Sequence, residues 1–164
     1  MKIVNARIDE RLVHGMVATF WIPTLKVDRV ICADDESANN PMIKNALRMA
    51  TPQGVSLSVI TVEKAITNLL SEKYGEEKIM IVAKKVEVYE KMIDAGIGLT
   101  TITLGNMNVI NKPLDAKIVT NFLNVTLNEK KVFEKLHDEA IALEIRLIPG
   151  DSPTDFYSIM ESKF

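Results

Sequence analysis

The densest group of polar side chains in this sequence lies at residues 7–15, which run R-I-D-E-R-L-V-H-G. It contains two guanidinium groups, two carboxylates and the imidazole of His14, and it ends at a glycine. Neutral imidazole is a competent nucleophile near pH 7, and a guanidinium group can bind two phosphate oxygens through its planar fork of N–H donors. The spacing therefore predicts a phosphoryl-transfer site in which His14 is the nucleophile and Arg7 and Arg11 contact the phosphate.

A structural role for the same histidine is the alternative. His14 can stand at the N-terminus of a helix and form a hydrogen bond to Asp9 with no ligand involved. The flanking arginines favour a bound anion. Gly15 does so as well, because a residue without a Cβ allows the backbone to approach a ligand closely. The residues alone leave both interpretations open.

The elements expected to position this group alternate between strand and helix. Apolar, β-branched runs predict strands at Lys2–Ile8, Val27–Ala33, Val55–Ile60, Lys78–Ala83, Thr100–Leu104, Ile118–Val125 and Ile141–Ile148. Segments of helical period predict helices at His14–Ile22, Asn40–Ala50, Val62–Ser71, Val86–Ala95 and Asn128–Glu139. The stretch Gly105–Lys117 is expected to be a long loop, because it contains Asn106, Asn108, Asn111 and Pro113.

The predicted strands indicate a parallel sheet between two layers of helices. Ile79–Ala83 lacks polar/apolar alternation, which is typical of a strand buried on both faces. Repeated strand–helix units predict one three-layer α/β domain, residues 1–164. Ligands bind such sheets at the carboxyl ends of the strands, and His14 lies at the first of these junctions. The helix that begins near His14 would direct its unpaired backbone N–H groups towards an anion.

Structural roles are the favoured interpretation for the other candidate groups. The acidic run Asp34–Glu36 could bind a metal or orient the arginines, but a solvated loop with Ser37 or Asn39 capping the next helix is favoured. His137 is expected at the surface of a helix, and Cys32 is expected to be a small core residue. The sequence has no Cys/His pair at ligand spacing, no Walker loop and no G-x-G-x-x-G run, so we expect no metal and no other cofactor.

The 164-residue chain has the composition of an ordinary globular protein, with 47% apolar and 26% charged residues. Its 20 Lys and Arg against 22 Asp and Glu argue against a general binder of nucleic acid or of membrane surfaces, which needs a basic excess. A single cysteine, with no signal-peptide pattern and no membrane-spanning run, predicts a cytoplasmic protein. The methionines at 42, 49, 80, 92 and 107 are expected to fill gaps in the core.

Residues 7–15 closely resemble the signature R-[IV]-D-[DE]-R-L-[IV]-H-G of the IIB components of the mannose/fructose/sorbose-type bacterial sugar phosphotransferase system. Three further stretches are similar to elements of the same family. They are residues 34–40 after the second predicted strand, residues 50–55 with the pattern Pro-x-Gly-Val, and residues 90–96 followed by 104–107. The resemblance covers nearly the whole chain.

The resemblance implies an open sheet of about seven mostly parallel strands flanked by helices on both faces. It also implies the activity of a phosphohistidine–sugar phosphotransferase. Such a component accepts a phosphoryl group from a IIA domain and transfers it to a sugar held by the membrane IIC/IID components. The expected protein is cytoplasmic and meets the inner face of the membrane transiently. The identity of the sugar and the oligomeric state, a homo-oligomer included, stay open.

Carried onto this sequence, the resemblance makes His14 the phosphorylated residue, through its Nδ1 atom. Arg11 would hold the phosphate, and Asp9 and Arg7 would orient the site.

Two positions depart from the family pattern, and one of them lies in the phosphate-binding turn. That turn would use Gly15 and the backbone N–H of Met16. Met16 stands where the family usually has glutamine, so a side-chain amide is lost there while the backbone N–H remains. The family's Gly-Gly-Met is Gly105-Asn106-Met107 here, which we expect to alter the loop or the partner surface.

Two functions from other classes compete with the phosphocarrier. A receiver-like signalling module would accept phosphate on Asp34 or Asp35 with a bound Mg²⁺, but it would need another aspartate at the end of the third strand. That strand ends Val59-Ile60-Thr61, which argues against this function. A non-catalytic regulatory domain of the same fold would accept no phosphate at all.

Overall fold

Strands and helices alternate along the chain in the computed structural model, which describes residues 1–108 and 112–164. The strands are β1 (Lys2–Ile8), β2 (Arg29–Ala33), β3 (Ser56–Ile60), β4 (Lys78–Ala83), β5 (Thr101–Leu104), β6 (Lys117–Thr120), β7 (Leu123–Val125), β8 (Ala142–Ile145) and β9 (Thr154–Asp155). The helices are a π-helical turn (Val17–Trp21), α1 (Ile22–Leu25), α2 (Asp35–Ala38), α3 (Pro41–Ala50), α4 (Val62–Leu70), α5 (Val86–Asp94), α6 (Leu127–Asp138) and α7 (Phe156–Glu161). The π-helical turn and α1 belong to one continuous stretch, residues 15–25, which we call the first helical segment.

Seven strands form one open sheet in the order β3-β2-β4-β1-β5-β8-β9. The neighbouring pairs are parallel except for β8 with β9 at one edge. After β1 the chain continues to β2 on one side, and after β4 it continues to β5 on the other side. The strand order therefore reverses at the neighbouring strands β1 and β4, which is the position where open α/β sheets bind ligands.

Helices cover both faces of this sheet. Side chains of α4, α5, α6 and α7 pack against one face, and the first helical segment and α3 pack against the other. The two cores share β4, whose residues Ile79, Ile81 and Ala83 face one core while Met80 and Val82 face the other. The three-layer prediction is confirmed, and so is the prediction that this strand is buried on both faces.

The prediction for residues 118–125 is wrong. Instead of one strand in the main sheet, β6 and β7 form a separate antiparallel pair. The turn between them contains Asn121 and Phe122 and neither glycine nor proline, so the sequence offers no strong break in the apolar run. α2, β9 and α7 were not predicted. Of the predicted loop Gly105–Lys117, Asn111 lies outside the described residues, and Lys117 already belongs to β6.

Two of the methionines expected in the core are at the surface. Met42 and Met49 of α3 are 81% and 88% exposed, whereas Met80, Met92 and Met107 are fully buried as predicted. Among the helices that the structure describes, none has the length and apolar character needed to cross a membrane.

Candidate functional site

The loop that follows β1 is held at the carboxyl edge of the sheet by both neighbouring strands. The Asp9 N–H donates to the Ala83 carbonyl at the end of β4 (2.9 Å). The Glu10 N–H donates to the Asn106 carbonyl just beyond β5 (2.9 Å). Because two buried strands anchor it, residues 9 and 10 take a defined position, and the prediction that the polar group lies at this edge is confirmed.

A tight turn then directs the chain into the first helical segment. The Leu12 N–H donates to the Asp9 carbonyl (3.0 Å), and Leu12 adopts a left-handed backbone with φ of 56°. This conformation is costly for a residue with a Cβ, and the buried Leu12 side chain anchors it in the core. The helical segment begins directly after His14, whose carbonyl accepts from the Ala18 N–H (2.9 Å). Its first N–H groups, including those of Gly15 and Met16, precede any carbonyl partner within the helix.

The Asp9 carboxylate is fully buried and connects the three other charged or titratable groups of the site. Its Oδ2 atom lies 3.0 Å from Nε2 of His14 and accepts a hydrogen bond from Nη2 of Arg7 (3.3 Å). Its Oδ1 atom accepts from the backbone N–H of Arg11 (3.1 Å) and from its Nε (3.2 Å). With Asp9 as the acceptor, the proton of the imidazole lies on Nε2, so Nδ1 retains its lone pair.

These partners keep Asp9 ionised. Burial alone would raise the pKa of its carboxyl group. The hydrogen bonds from His14 and Arg11, together with the positive charge of Arg7, outweigh burial and lower that pKa to about 2. At neutral pH Asp9 is therefore a carboxylate hydrogen-bonded to the imidazole of His14, and it can stabilise positive charge on that ring.

Arg7 supports this carboxylate from below the surface. Its side chain has no exposed area, its Nη1 donates to the Arg146 carbonyl (2.8 Å), and its guanidinium lies 4.9 Å from the ring centroid of Trp21. Burial lowers the pKa of Arg7, while Asp9 opposes that effect. The sequence grouped Arg7 with the phosphate-binding side chains; in the structure its donors point to Asp9 and to a backbone carbonyl.

Arg11 differs from Arg7 in its exposure. Its Nε bonds to Asp9, yet 38% of its side-chain area is open to solvent. It is thus placed to contact both the buried carboxylate and an incoming anion. The geometry of the site is that of a partly exposed imidazole, with 16% of its side-chain area open to solvent, beside a more exposed guanidinium. Both lie at a helix N-terminus, above a buried Arg7–Asp9 pair.

Comparison with known proteins identifies the family. The model of the PTS system sorbose subfamily IIB component matches residues 3–164. The chain belongs to this IIB family. It is 32% identical over 162 residues to the fructose-specific EIIB component of Bacillus subtilis, covering 99% of this chain and 98% of that protein. It is also 32% identical over 151 residues to the mannose-specific EIIAB component of Escherichia coli, covering 92% of this chain and 46% of the longer protein.

Solved structures agree on the fold. The IIBSor domain of the sorbose permease from Klebsiella pneumoniae superimposes with a TM-score of 0.91 at 24% identity, covering 100% of this chain and 99% of that one. A structure described as a phosphoenolpyruvate-dependent phosphotransferase system superimposes with a TM-score of 0.90 at 30% identity, covering both chains completely. This chain is thus a phosphotransferase-system IIB component, and its activity is phosphoryl transfer.

Three residues of this IIB component lie against Arg7 or Asp9 and were not assigned to the site from the sequence. They are Gly105, Tyr89 and Trp21. Gly105 lies so close that a Cβ there would be 2.2 Å from Oδ2 of Asp9 and 2.4 Å from Nη2 of Arg7. The Tyr89 hydroxyl accepts from the Arg7 N–H (3.0 Å) and lies 2.7 Å from the Arg7 carbonyl. Trp21 is the third. A glycine directly after a buried strand beside β1 was the available signal for Gly105; no pattern in the sequence marked the two aromatic residues.

The remaining predicted candidates lie outside this group. Asp34 caps α2 by accepting from the Ser37 N–H (3.0 Å) and pairs with Lys84 (3.1 Å). The predicted solvated loop is therefore wrong, because the acidic run begins a helix. The predicted caps were wrong, because Asn40 caps α3 in place of Ser37 or Asn39. Residues 1–108 and 112–164 contain no cluster of ligating side chains suited to a metal ion.

Cys32 and His137 agree with their predictions. Cys32 is buried, and burial raises the pKa of its thiol to about 12, so it is not a nucleophile. His137 is exposed on α6 and stacks against Tyr157 at a centroid distance of 3.7 Å.

Proposed function

We propose that this IIB component is a phosphocarrier. His14 accepts a phosphoryl group from the phosphohistidine of a IIA domain and transfers it to a sugar held by the membrane IIC/IID components. The E. coli relative, named a mannose-specific EIIAB component, supports a IIA partner. The proposal implies a cytoplasmic protein that meets the inner face of the membrane only during transfer.

The observation that carries the proposal is the 3.0 Å contact between Nε2 of His14 and Oδ2 of Asp9. It holds the proton on Nε2 and leaves the Nδ1 lone pair as the nucleophile. The same contact was the basis of the structural alternative, in which His14 is a helix N-terminal residue bonded to Asp9. The two roles coincide, because the bond that orients the ring also selects its reactive atom.

The transfer needs no external proton. The Nδ1 lone pair forms a bond to phosphorus while the N–P bond of the donor breaks, and the donor imidazole leaves with that electron pair. The His14 ring then carries Nε2–H and a positive charge, which the carboxylate of Asp9 stabilises. In the second step a sugar hydroxyl oxygen bonds to phosphorus, and the Nδ1–P bond breaks with its electron pair returning to Nδ1. The hydroxyl proton passes to water. Neutral imidazole is restored.

Groups at the surface stabilise the negative charge on the phosphoryl oxygens. Arg11 offers N–H donors beside His14, and the first backbone N–H groups of the helical segment, at Gly15 and Met16, are directed towards the same anion. Arg7 acts one layer deeper by fixing Asp9. An open site of this kind suits a relay, because the same Nδ1 atom must meet two partners in turn.

The test is labelling from a phosphorylated IIA donor. We expect labelling of the wild-type protein and of the control variant His137→Ala, and no labelling of His14→Ala. The label should be lost in mild acid and persist in base, as for phosphohistidine. A label lost in both acid and base would support the receiver-like alternative at Asp34 or Asp35, and a folded wild type that accepts no label would support the regulatory one.

A further inference from the structure

We propose that Trp21 is a positioning residue for phosphoryl transfer, which rests on the proposed role of His14. The indole of Trp21 holds the guanidinium of Arg7 in place, and Arg7 in turn fixes the carboxylate that selects the reactive nitrogen of His14. Trp21 is 2% exposed and lies seven positions beyond His14 along the chain. It acts through the two buried residues and touches neither the phosphate nor a partner protein.

The position of Trp21 is set at both ends of its side chain. The π-helical turn Val17–Trp21 widens the first helical segment, which changes the direction in which the last residue of that turn points. The indole N–H donates to the Leu147 carbonyl just beyond β8 (2.8 Å). A helix irregularity and a hydrogen bond to a distant part of the chain thus fix the same ring, and π turns of this kind are frequent at functional sites.

The guanidinium of Arg7 needs this ring, because its charge is buried and its hydrogen bonds are incomplete. Nη1 and Nη2 have acceptors, at the Arg146 carbonyl and at Asp9, but the buried Nε atom has no hydrogen-bond partner. A buried cation is costly unless it is compensated. The face of the Trp21 ring, 4.9 Å from the guanidinium carbon, supplies the remaining electrostatic compensation, and such contacts are strongest when water is excluded.

Displacement of Arg7 would change the nucleophile. Arg7 Nη2 and His14 Nε2 share one oxygen, Oδ2 of Asp9. If Arg7 moves, this oxygen loses its buried donor and keeps only the longer contact from Nη2 of Arg11 (3.4 Å). It is then held less firmly towards the imidazole, and a larger share of the imidazole protons moves from Nε2 to Nδ1. Fewer molecules then present a free Nδ1. Because Trp21 is buried, we expect a lower maximal rate of transfer with no change in the KM for the donor.

Fluorinated tryptophans weaken the ring's attraction for a cation with little change of shape and leave the N–H donor in place. The chain contains one tryptophan, so incorporation of mono-, di- and trifluorotryptophan alters Trp21 alone. We expect the rate of transfer from phosphorylated IIA to fall at each step, by about tenfold for the trifluoro form. The ¹⁵N spectrum of His14 should show a parallel loss of the Nε2–H tautomer.

Substitutions supply the matched controls. Trp21→Phe keeps a ring over Arg7 and should recover most of the rate that Trp21→Leu loses. Tyr74→Leu removes a comparable contact, in which the guanidinium carbon of Arg29 lies 4.6 Å from the centroid of the Tyr74 ring. Arg29 begins β2, so this contact lies at the amino ends of the strands, away from the site. We expect Tyr74→Leu to leave the transfer rate and the His14 tautomer unchanged. All forms are compared below their melting temperatures.

An unchanged tautomer across folded fluorinated proteins would overturn the proposal, as would an equal loss in Tyr74→Leu. The tautomer is measured without any phosphate donor. A failure to label His14 would therefore refute the phosphocarrier and leave the test of Trp21 intact.

Discussion

Replacing Asp9 with asparagine removes one charge and keeps the shape of the side chain, and we expect it to lower both stability and activity. The wild-type carboxylate is fully buried and accepts from Arg7, Arg11 and His14. Asparagine is neutral and offers one acceptor oxygen in place of two. The Asp9→Asn variant thus leaves the guanidinium of Arg7 buried without its counter-charge.

The pKa of Asp9 gives the lower limit of the effect on stability. A pKa that falls from 3.8 to about 2 on folding corresponds to about 2 kcal/mol of stability at pH 7. Removing one member of a buried ion pair costs about 3–5 kcal/mol in other proteins, because the remaining charge stays desolvated. We therefore expect Asp9→Asn to lose about 2–5 kcal/mol at pH 7, which most domains of this size survive at 25 °C.

The pH dependence has a definite sign. Because folding lowers the pKa of Asp9, its contribution is complete above the unfolded value near 3.8 and is lost as the pH falls towards about 2. Protonated Asp9 is neutral, as asparagine is. The difference between wild type and Asp9→Asn should therefore be constant from pH 7 to pH 5, shrink below pH 4, and be small at pH 2.

Urea unfolding across this pH range measures the difference, and labelling from phosphorylated IIA measures the activity. Loss of a charged hydrogen bond, worth about 1.5–3 kcal/mol, should slow transfer about ten- to a hundredfold. Glu139→Gln on the exposed end of α6 is the matched control for loss of one carboxylate and should show neither effect. Equal stability of wild type and Asp9→Asn at pH 7, or a difference that persists undiminished at pH 2, would refute the reasoning.

Arg11→Ala should slow transfer about ten- to a hundredfold with little change in melting temperature, and Arg11→Lys should recover only part of the rate in stopped-flow assays, because lysine lacks the planar fork. An unaltered rate would mean that the helix N–H groups hold the phosphate. Gly105→Ala forces a methyl group against Asp9 and Arg7 and should lower stability by about 1–3 kcal/mol in urea unfolding; a neutral result would show that the loop can yield. Cys32, buried and with a pKa raised to about 12, should react with a thiol reagent only in denaturant, whereas reaction in the native protein would show that the strand opens.

The bounds of a strand were predictable where the apolar pattern of its residues matches the burial of that strand in the sheet. β1 and β4 have the predicted bounds. In β4 an uninterrupted run of apolar residues follows Lys78, which is typical of a strand buried on both faces. The hairpin of β6 and β7 was not predictable, since its strands span only four and three residues and its turn lacks glycine and proline. The strand β9 has two residues and forms only because β8 offers an edge to pair with.

By itself the sequence determined the chemical composition of the site. Asp9, Arg11 and His14 lie within six residues, so one turn and one helix start suffice to bring them together. Side chains this close in the chain are brought into contact by one turn and one helix start, and such local structure can be predicted from the sequence. The sequence thus sufficed to predict that this imidazole, this carboxylate and this exposed guanidinium lie together.

Only the tertiary structure decided how these groups are held. Trp21, Tyr89 and Gly105 reach the Arg7–Asp9 pair from three other parts of the fold. The burial of Arg7, and hence its role as a support for Asp9, depends on these neighbours, which come together only when the sheet and its helices pack. Burial and electrostatic environment are properties of the whole arrangement of charges and apolar surface, and adjacency in sequence does not encode them.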